Sequence, residues 1–337
     1  MNQKSRILQS ILALIASCAI SHAADLGTPD RSDIEYPDWE PHSPEEIELG
    51  KFLFFDNRLS LNADMSCATC HNPELGFSDG VAFGQGTMDN KLGRHAPHLY
   101  NLAWGTTFFW DGRAGSLEEQ AIGPIQAEGE MNMPGPKAEA RIRAVPYYQE
   151  AFTKIYPDGV TLENIGKAIA AFERTFISDN SAFDRYIAGD KSAMSPLAAH
   201  GLELFKGKAQ CIDCHSGPNF TDESFHNLGI DNGDNGRGDI VQSLPGAFKT
   251  PGLRNIILSA PYMHDGSEKT LEDVVRFYNQ GGGPDEKNKS ALVKKLNLSE
   301  EEIYALVAFM GALTDPVTIE RPEIPEGPVV DVSVASK

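Results

Sequence analysis

The sequence predicts a mainly α-helical chain in which one helical unit occurs twice. Three observations predict it. Cys-x-x-Cys-His appears as Cys67-Ala68-Thr69-Cys70-His71 and again as Cys211-Ile212-Asp213-Cys214-His215. The residues around the two motifs match in order and spacing, which is the mark of an internal repeat. Strand-like alternation is scarce, whereas apolar residues at helical spacing are common.

The first matched element stands before each motif. Ser43-Pro44-Glu45-Glu46 and Ser195-Pro196 place serine as N-cap and proline at the first helical position. Glu46 is positioned to complete a capping box in the first. Each helix carries Gly-x-x-Leu-Phe, at Gly50 with Leu53-Phe54 and at Gly201 with Leu204-Phe205. Each motif is followed by Phe-Ser/Thr-Asp, namely Phe77-Ser78-Asp79 and Phe220-Thr221-Asp222. Pro97-x-Leu99-x-Asn101 matches Pro251-x-Leu253-x-Asn255. Asp111-Gly112 and Asp265-Gly266 follow at one common step, then Leu117-Glu118 and Leu271-Glu272. Between the units, Thr161 to Ser178 reads as a helix with Ile165, Ile169, Phe172 and Phe176 on one face. Ser299 to Leu313 reads as another, with Ile303, Leu306, Val307 and Met310 apolar.

The motifs fix the chemistry. Their cysteines are spaced for thioether bonds to the two vinyl groups of one haem, and the adjacent histidine then reaches the iron. Two covalently bound haem c groups are therefore expected, on Cys67, Cys70 and His71 and on Cys211, Cys214 and His215. The expected fold is mainly α: two duplicated class I cytochrome c-like haem domains with long loops. Residues 24–185 form the first and 190–315 the second, followed by a loose proline-rich tail at 316–337.

Residues 1–23 read as an export signal: Lys4 and Arg6, an apolar run from Ile7 to Ile20, then Ser21-His22-Ala23 for cleavage. The run is too short for a membrane anchor, so no transmembrane segment is expected. A rival reading makes Ile15-Ala16-Ser17-Cys18 a lipoprotein box with lipid on Cys18. Of five cysteines the motifs use four and Cys18 is the fifth, which leaves none for a disulfide. The compartment is expected to be the periplasm. Removing the signal takes two basic residues and no acid, so the net charge moves from −19 to −21. That charge repels nucleic acid and anionic membranes; it suits a basic partner patch and equally suits solubility alone.

The repeat also distinguishes the two haems. Tyr278 stands seven residues after Leu271, and Pro124 seven after Leu117. A phenolate can therefore close the second haem where the first meets a ring with no donor, which leaves the His71 iron open to small molecules. Packing in the helix is the competing role for Tyr278, and Met263 and His264 are rival donors. His264 occupies the repeat position of Trp110, which points to packing or electron transfer there in both halves. His98, His200 and His226 are assigned to surface or core. Peroxide chemistry at an open haem needs a group that moves a proton between the two peroxide oxygens. Glu130, in the Gly129-Glu130-Met131-Asn132-Met133-Pro134 loop, is the candidate, against a solvated loop carboxylate.

The two motifs, Phe109-Trp110-Asp111-Gly112-Arg113-Ala114, the Glu130-to-Pro134 loop, and Leu253-Arg254-Asn255 with Ala260-Pro261-Tyr262-Met263-His264-Asp265-Gly266 closely resemble the bacterial diheme cytochrome c peroxidase and MauG family. The resemblance runs from about Ser43 to Leu313. It implies a peroxidatic haem at His71, an electron-transfer haem at His215 and a tryptophan between them, Trp110. It places the distal glutamate on Glu130 and a distal glutamine on Gln120. In the peroxidases the axial ligand of the second haem is methionine, and in the MauG-like branch (MauG, MbnH) it is tyrosine, here Tyr278. The peroxidases also have a histidine in the loop after the first motif, and Phe77 to Gly93 contains none. Both departures imply the MauG-like branch, whose members use peroxide to oxidise a partner protein through a high-valent diheme state. The resemblance further implies a calcium ion between the domains, at the carbonyls of Ser259 and Pro261 and a side chain at position 95. Histidine, a poor ligand for a hard cation, stands there as His95.

The expected function is thus a periplasmic diheme c-type oxidoreductase that activates hydrogen peroxide at the His71 haem and oxidises a protein substrate. The first rival is a peroxidase fed by a small cytochrome c donor, and the second a non-catalytic electron carrier.

Overall fold

The computed structural model describes residues 26–37, 42–285 and 287–331. The expected export signal and Cys18 lie outside the described residues. No helix among the described residues is long and apolar enough to cross a membrane.

The chain is mainly helical, with α1 (Pro44–Phe54), α2 (Cys67–Cys70), α3 (Leu117–Gln126), α4 (Gly135–Arg143), α5 (Pro146–Ile155), α6 (Leu162–Glu173), α7 (Ala182–Ile187), α8 (Pro196–Lys206), α9 (Leu271–Asn279) and α10 (Glu300–Gly311). Phe225–His226 and Phe248–Lys249 form one short antiparallel pair, β1 and β2. Serine or threonine caps α1, α6, α8 and α10 where the sequence puts Ser43, Thr161, Ser195 and Ser299, each accepting a backbone N–H from the first turn.

Two cores follow one plan. In the first, α1 packs on α6 and α6 on α3; in the second, α8 packs on α10 and α10 on α9. The glycine of each Gly-x-x-Leu-Phe makes the crossing. A Cβ on Gly50 would lie 1.8 Å from the Ala168 carbonyl oxygen, and one on Gly201 1.9 Å from that of Ala305. No side chain fits where two helix backbones approach this closely. The flanking phenylalanines interlock edge to face, Phe54 on Phe172 at 5.5 Å and Phe205 on Phe309 at 5.1 Å. Asn101 and Asn255 repeat as well. Both are left-handed, with φ of 58° and 60°. Asn101 pairs its amide with the backbone of Ser178, and Asn255 with that of Asp315.

Three expectations change. The helix from Thr161 ends at Glu173 rather than Ser178, because Asn101 holds Ser178 N–H and C=O outside any helical ladder. Glu46 completes no capping box; its carboxylate accepts from His42 Nδ1 at 3.0 Å, four residues back, and from the Tyr156 hydroxyl at 2.6 Å, a contact invisible to local spacing. The described part of the tail, 316–331, is not loose. Val317, Ile319 and Ile324 pack on the first core, Arg58 Nη2 donates to the Pro325 carbonyl at 2.7 Å, and Arg141 Nε donates to that of Val330 at 3.2 Å. Phe183 of α7, before the expected boundary at 185–190, is buried in the second core against Phe309.

The N-terminal segment crosses the other way. Leu26 packs on the second core, and the buried Arg254 donates to the Gly27 carbonyl at 2.9 Å while forking onto Asp184 at 2.8 and 2.9 Å. Each end of the described chain is thus tied to the half it is remote from in sequence, which locks the two cores together.

Candidate functional site

The two motifs fold alike. His71 N–H donates to the Cys67 carbonyl at 2.9 Å and His215 N–H to that of Cys211 at 2.8 Å, so each histidine closes a turn over its first cysteine. Each ring then turns its Nδ1 to a backbone carbonyl, His71 to Phe77 at 2.9 Å and His215 to Phe220 at 2.8 Å. A carbonyl only accepts, so Nδ1 carries the proton and the Nε2 lone pair is left without a hydrogen bond. Burial lowers both imidazole pKa values and keeps the rings neutral. Phe77 and Phe220 supply these carbonyls from left-handed backbone, φ 61° and 57°, a conformation that costs energy in a bulky residue. All four motif cysteines are free of disulfides. A neutral imidazole with an open lone pair beside two free thiols is the donor set that a covalently attached haem requires, so the residues fit the group.

His71 and Cys70 line a cavity of about 850 Å³, and Trp110, Gln120, Pro124 and Glu130 line the same space. Gln120 and Pro124 come from α3, one turn apart. The Glu130 loop returns to that helix, with Met131 N–H donating to the Pro124 carbonyl at 3.1 Å. Burial raises the Glu130 pKa, and the nearby Arg113 opposes the rise. Arg113 lies 3.5 Å over the Phe109 ring and is anchored to Asp111 at 2.9 Å. Glu130 is thus half-buried in the cavity wall rather than fully exposed.

His215, Cys211 and Cys214 line a smaller cavity of about 180 Å³ together with Tyr278, Met263 and His264. The Tyr278 hydroxyl has no hydrogen-bond partner among the described residues, and burial, with the two cysteines adding, pushes its pKa up. His264 is poorly suited to ligation. Asn232 Nδ2 donates to His264 Nε2 at 2.9 Å, and the orientation of that amide is set by Asp234 N–H donating to Asn232 Oδ1 at 3.0 Å. The His264 ring is further held flat on Phe248, 3.6 Å between centroids. Met263 remains beside Tyr278 in the cavity wall.

Trp110, His95 and His98 line both cavities. Trp110 Nε1 donates to the His95 carbonyl at 2.8 Å, and its ring meets His264 edge to face at 6.5 Å. Arg94 ties the halves beside it, donating to Asp111 at 2.6 Å and forking onto Asp234 at 2.6 and 2.9 Å. Burial opposes ionisation of Asp111, yet Arg94 and Arg113 hold its carboxyl below the usual range.

Sequence reasoning placed His98 and His226 in core or surface, and both prove to be cavity walls. His98 Nε2 donates to the Gly252 carbonyl at 2.8 Å, and its Nδ1 accepts from Tyr100 N–H at 3.2 Å. His226 pairs with Asp222 at 2.8 Å, which pushes its pKa up to about 10. His200 is exposed, as expected. The Arg94 and Asp234 pairing left no signal in the sequence, because its members are far apart along the chain.

The comparisons agree with this geometry. The chain is 44% identical over 302 residues to the methylamine utilization protein MauG of Methylorubrum extorquens, covering 87% of this chain and 85% of that one. The family model described as di-haem cytochrome c peroxidase matches residues 44–192. The chain belongs to the di-haem cytochrome c peroxidase and MauG family. Within it, the chain is 36% identical over 295 residues to the cytochrome c551 peroxidase of Nitrosomonas europaea, 85% of each chain. A crystal structure of a MauG-like protein associated with microbial copper homeostasis superposes with a TM-score of 0.78 at 32% identity, over 83% of this chain and 92% of that one. Family membership implies two haems, and two histidine-bearing cavities are present to take them.

Proposed function

We propose that this protein is a periplasmic diheme c-type oxidoreductase of the MauG-like branch, which activates hydrogen peroxide at the His71 site and oxidises a partner protein. The single observation that carries the proposal is the contrast between the cavities. The larger is walled by Pro124, Gln120 and Glu130, while the smaller is walled by Tyr278. When bound, the two haems supply the redox chemistry, reduction of peroxide at one and storage of an oxidising equivalent at the other.

The residues of the chain do the rest. Cys67 and Cys70, and Cys211 and Cys214, would attach the groups, with His71 and His215 as iron ligands and Tyr278 as the second ligand at the smaller site. Pro124 offers no donor and leaves the first site open. Gln120 presents an amide to the bound substrate. Glu130 takes a proton on a carboxylate oxygen from the inner peroxide oxygen and returns it to the outer one; its raised pKa brings it nearer the working range of such a group. Trp110 lies between the cavities with its N–H on a carbonyl, which cannot accept the proton, so Trp110 is suited to pass electrons while keeping it.

The matched folds of α1, α6 and α3 with α8, α10 and α9 support the reading of two duplicated class I cytochrome c-like domains, the second beginning at α7. The complete small-residue site at Ser21-His22-Ala23 supports a cleaved signal at residues 1–23 in preference to a lipid on Cys18. The similarity to a cytochrome c551 peroxidase keeps a small cytochrome c as the alternative electron source. The test is to mix the holoprotein with peroxide and candidate partners. Loss of tryptophan or tyrosine absorbance in an exported protein supports the proposal; turnover of peroxide with reduced cytochrome c alone overturns it in favour of the peroxidase.

A further inference from the structure

His95 occupies the one position at which family resemblance calls for a calcium-binding side chain, and its ring has nothing left to offer a cation. His95, Ser259 and Pro261 do meet in the wall of the smaller cavity. The His95 ring is 5% exposed as part of a buried residue. Its Nδ1 is 2.9 Å from the Val81 carbonyl, which only accepts, so Nδ1 carries the proton. Its Nε2 faces Ser78 Oγ at 3.4 Å. That hydroxyl already accepts from Gly80 N–H, so its own proton is free for Nε2. The contrast with His71 and His215 is direct, since there one nitrogen is fixed by a carbonyl and the other is open. Calcium also demands several oxygen ligands, commonly carboxylates. Among the described residues the one cluster of three His, Cys, Asp or Glu side chains within metal-sharing distance is Cys214, Asp222 and His226, which does not include His95.

The backbone of His95 is committed as well. Its N–H donates to the His264 carbonyl at 2.8 Å, and its carbonyl accepts from Trp110 Nε1 at 2.8 Å. One residue thereby joins the loop after the first motif, the tryptophan between the cavities and the second half of the chain.

We propose that His95 replaces the inter-domain calcium ion with hydrogen bonds, and that it positions Trp110 for transfer between the two sites without any metal. The inference rests on the reading of the chain as a two-haem oxidoreductase. It removes from that reading the one cofactor the side chains do not fit.

Two measurements on the full holoprotein test it. Elemental analysis after dialysis, with calcium chloride or with EGTA, should find far less than one calcium per chain in both cases. Peroxide-driven oxidation of the second haem should proceed at one rate in the two samples. The His95→Ala protein should keep both haems by intact mass, yet lose on the order of tenfold or more in the rate of transfer to the second, the usual cost of removing an outer-shell partner. His95→Gln, whose amide keeps one donor and one acceptor, should recover most of that loss. Stoichiometric calcium, or EGTA-sensitive transfer, overturns the proposal, as does an unchanged transfer rate in His95→Ala. Calcium content is read whether or not the protein consumes peroxide, so a failure of the functional proposal is distinguishable from a failure of this one.

Discussion

Pro124 and Tyr278 stand at the same step of two equivalent helices, seven residues beyond Leu117 on α3 and Leu271 on α9, and each lines the histidine-bearing cavity of its own half. A ring without a donor and a phenol thus occupy one structural position. The duplicated frame holds the surroundings constant, so the difference in chemistry between the two sites is concentrated in this exchange.

Two haems per chain should be added during export. Intact mass of the matured protein should show two, and the double variant Cys67→Ala, Cys70→Ala should show one, with the His215 site retained. A wild-type protein carrying one haem would contradict the equivalence of the two motif folds.

Glu130→Gln should leave both haems in place and slow the reaction with peroxide by on the order of a hundredfold, since the amide cannot accept and return a proton. Burial raises the Glu130 pKa, so the deprotonated form that accepts the proton is reached at higher pH than for an exposed carboxylate. The wild-type rate should therefore climb with pH through that raised pKa, and the variant should lack this limb. Stopped-flow rates across pH are the check.

Gly50→Ala should destabilise the protein by about 1–3 kcal/mol or more, the cost of forcing an atom into a packed contact, because the new methyl would meet the Ala168 carbonyl oxygen at 1.8 Å. Thermal unfolding of the holoprotein measures it, and an unchanged midpoint would show that α1 and α6 can separate freely.

Glu173 makes stability depend on pH. Burial raises its pKa to about 8 from an ordinary 4.5, with Arg174 opposing and Glu118 adding to the rise. Between these values the folded chain holds a proton that the unfolded chain has released, so stability falls as pH rises. The contribution is fully present below 4.5 and lost above about 8. Glu173→Gln, which stays neutral, should flatten this part of the unfolding profile between pH 5 and 8. Parallel profiles for the two proteins would contradict the assignment.

Much of the site was legible because its signals are local. The haem motifs, the caps at Ser43 and Ser195, and the step from Leu271 to Tyr278 are all spacing within a single stretch. What escaped is long-range. Glu46 was expected in a capping box, but the remote Tyr156 hydroxyl, together with the neighbouring His42, holds its carboxylate. The tail was expected to be loose, yet Arg58 and Arg141 bind its carbonyls across most of the chain. Pairing at that separation leaves no period or spacing to read. His95 was visible as a poor calcium ligand; that its two ring nitrogens are both engaged depends on the fold of the Ser78 to Val81 loop.

The central claim is that Tyr278 closes the His215 site and sets this chain apart from a peroxidase. Axial-ligand identity controls iron potential, a phenolate favouring the oxidised state and a thioether the reduced one. The most direct measurement is the ferric spectrum and reduction potential of the second haem in Tyr278→Phe and Tyr278→Met. Both should shift, with the potential raised in Tyr278→Met, partner oxidation lost in Tyr278→Phe and both haems retained throughout. If neither spectrum nor potential moves in either variant, Tyr278 is a packing residue, Met263 is the ligand, and the assignment to the MauG-like branch is contradicted.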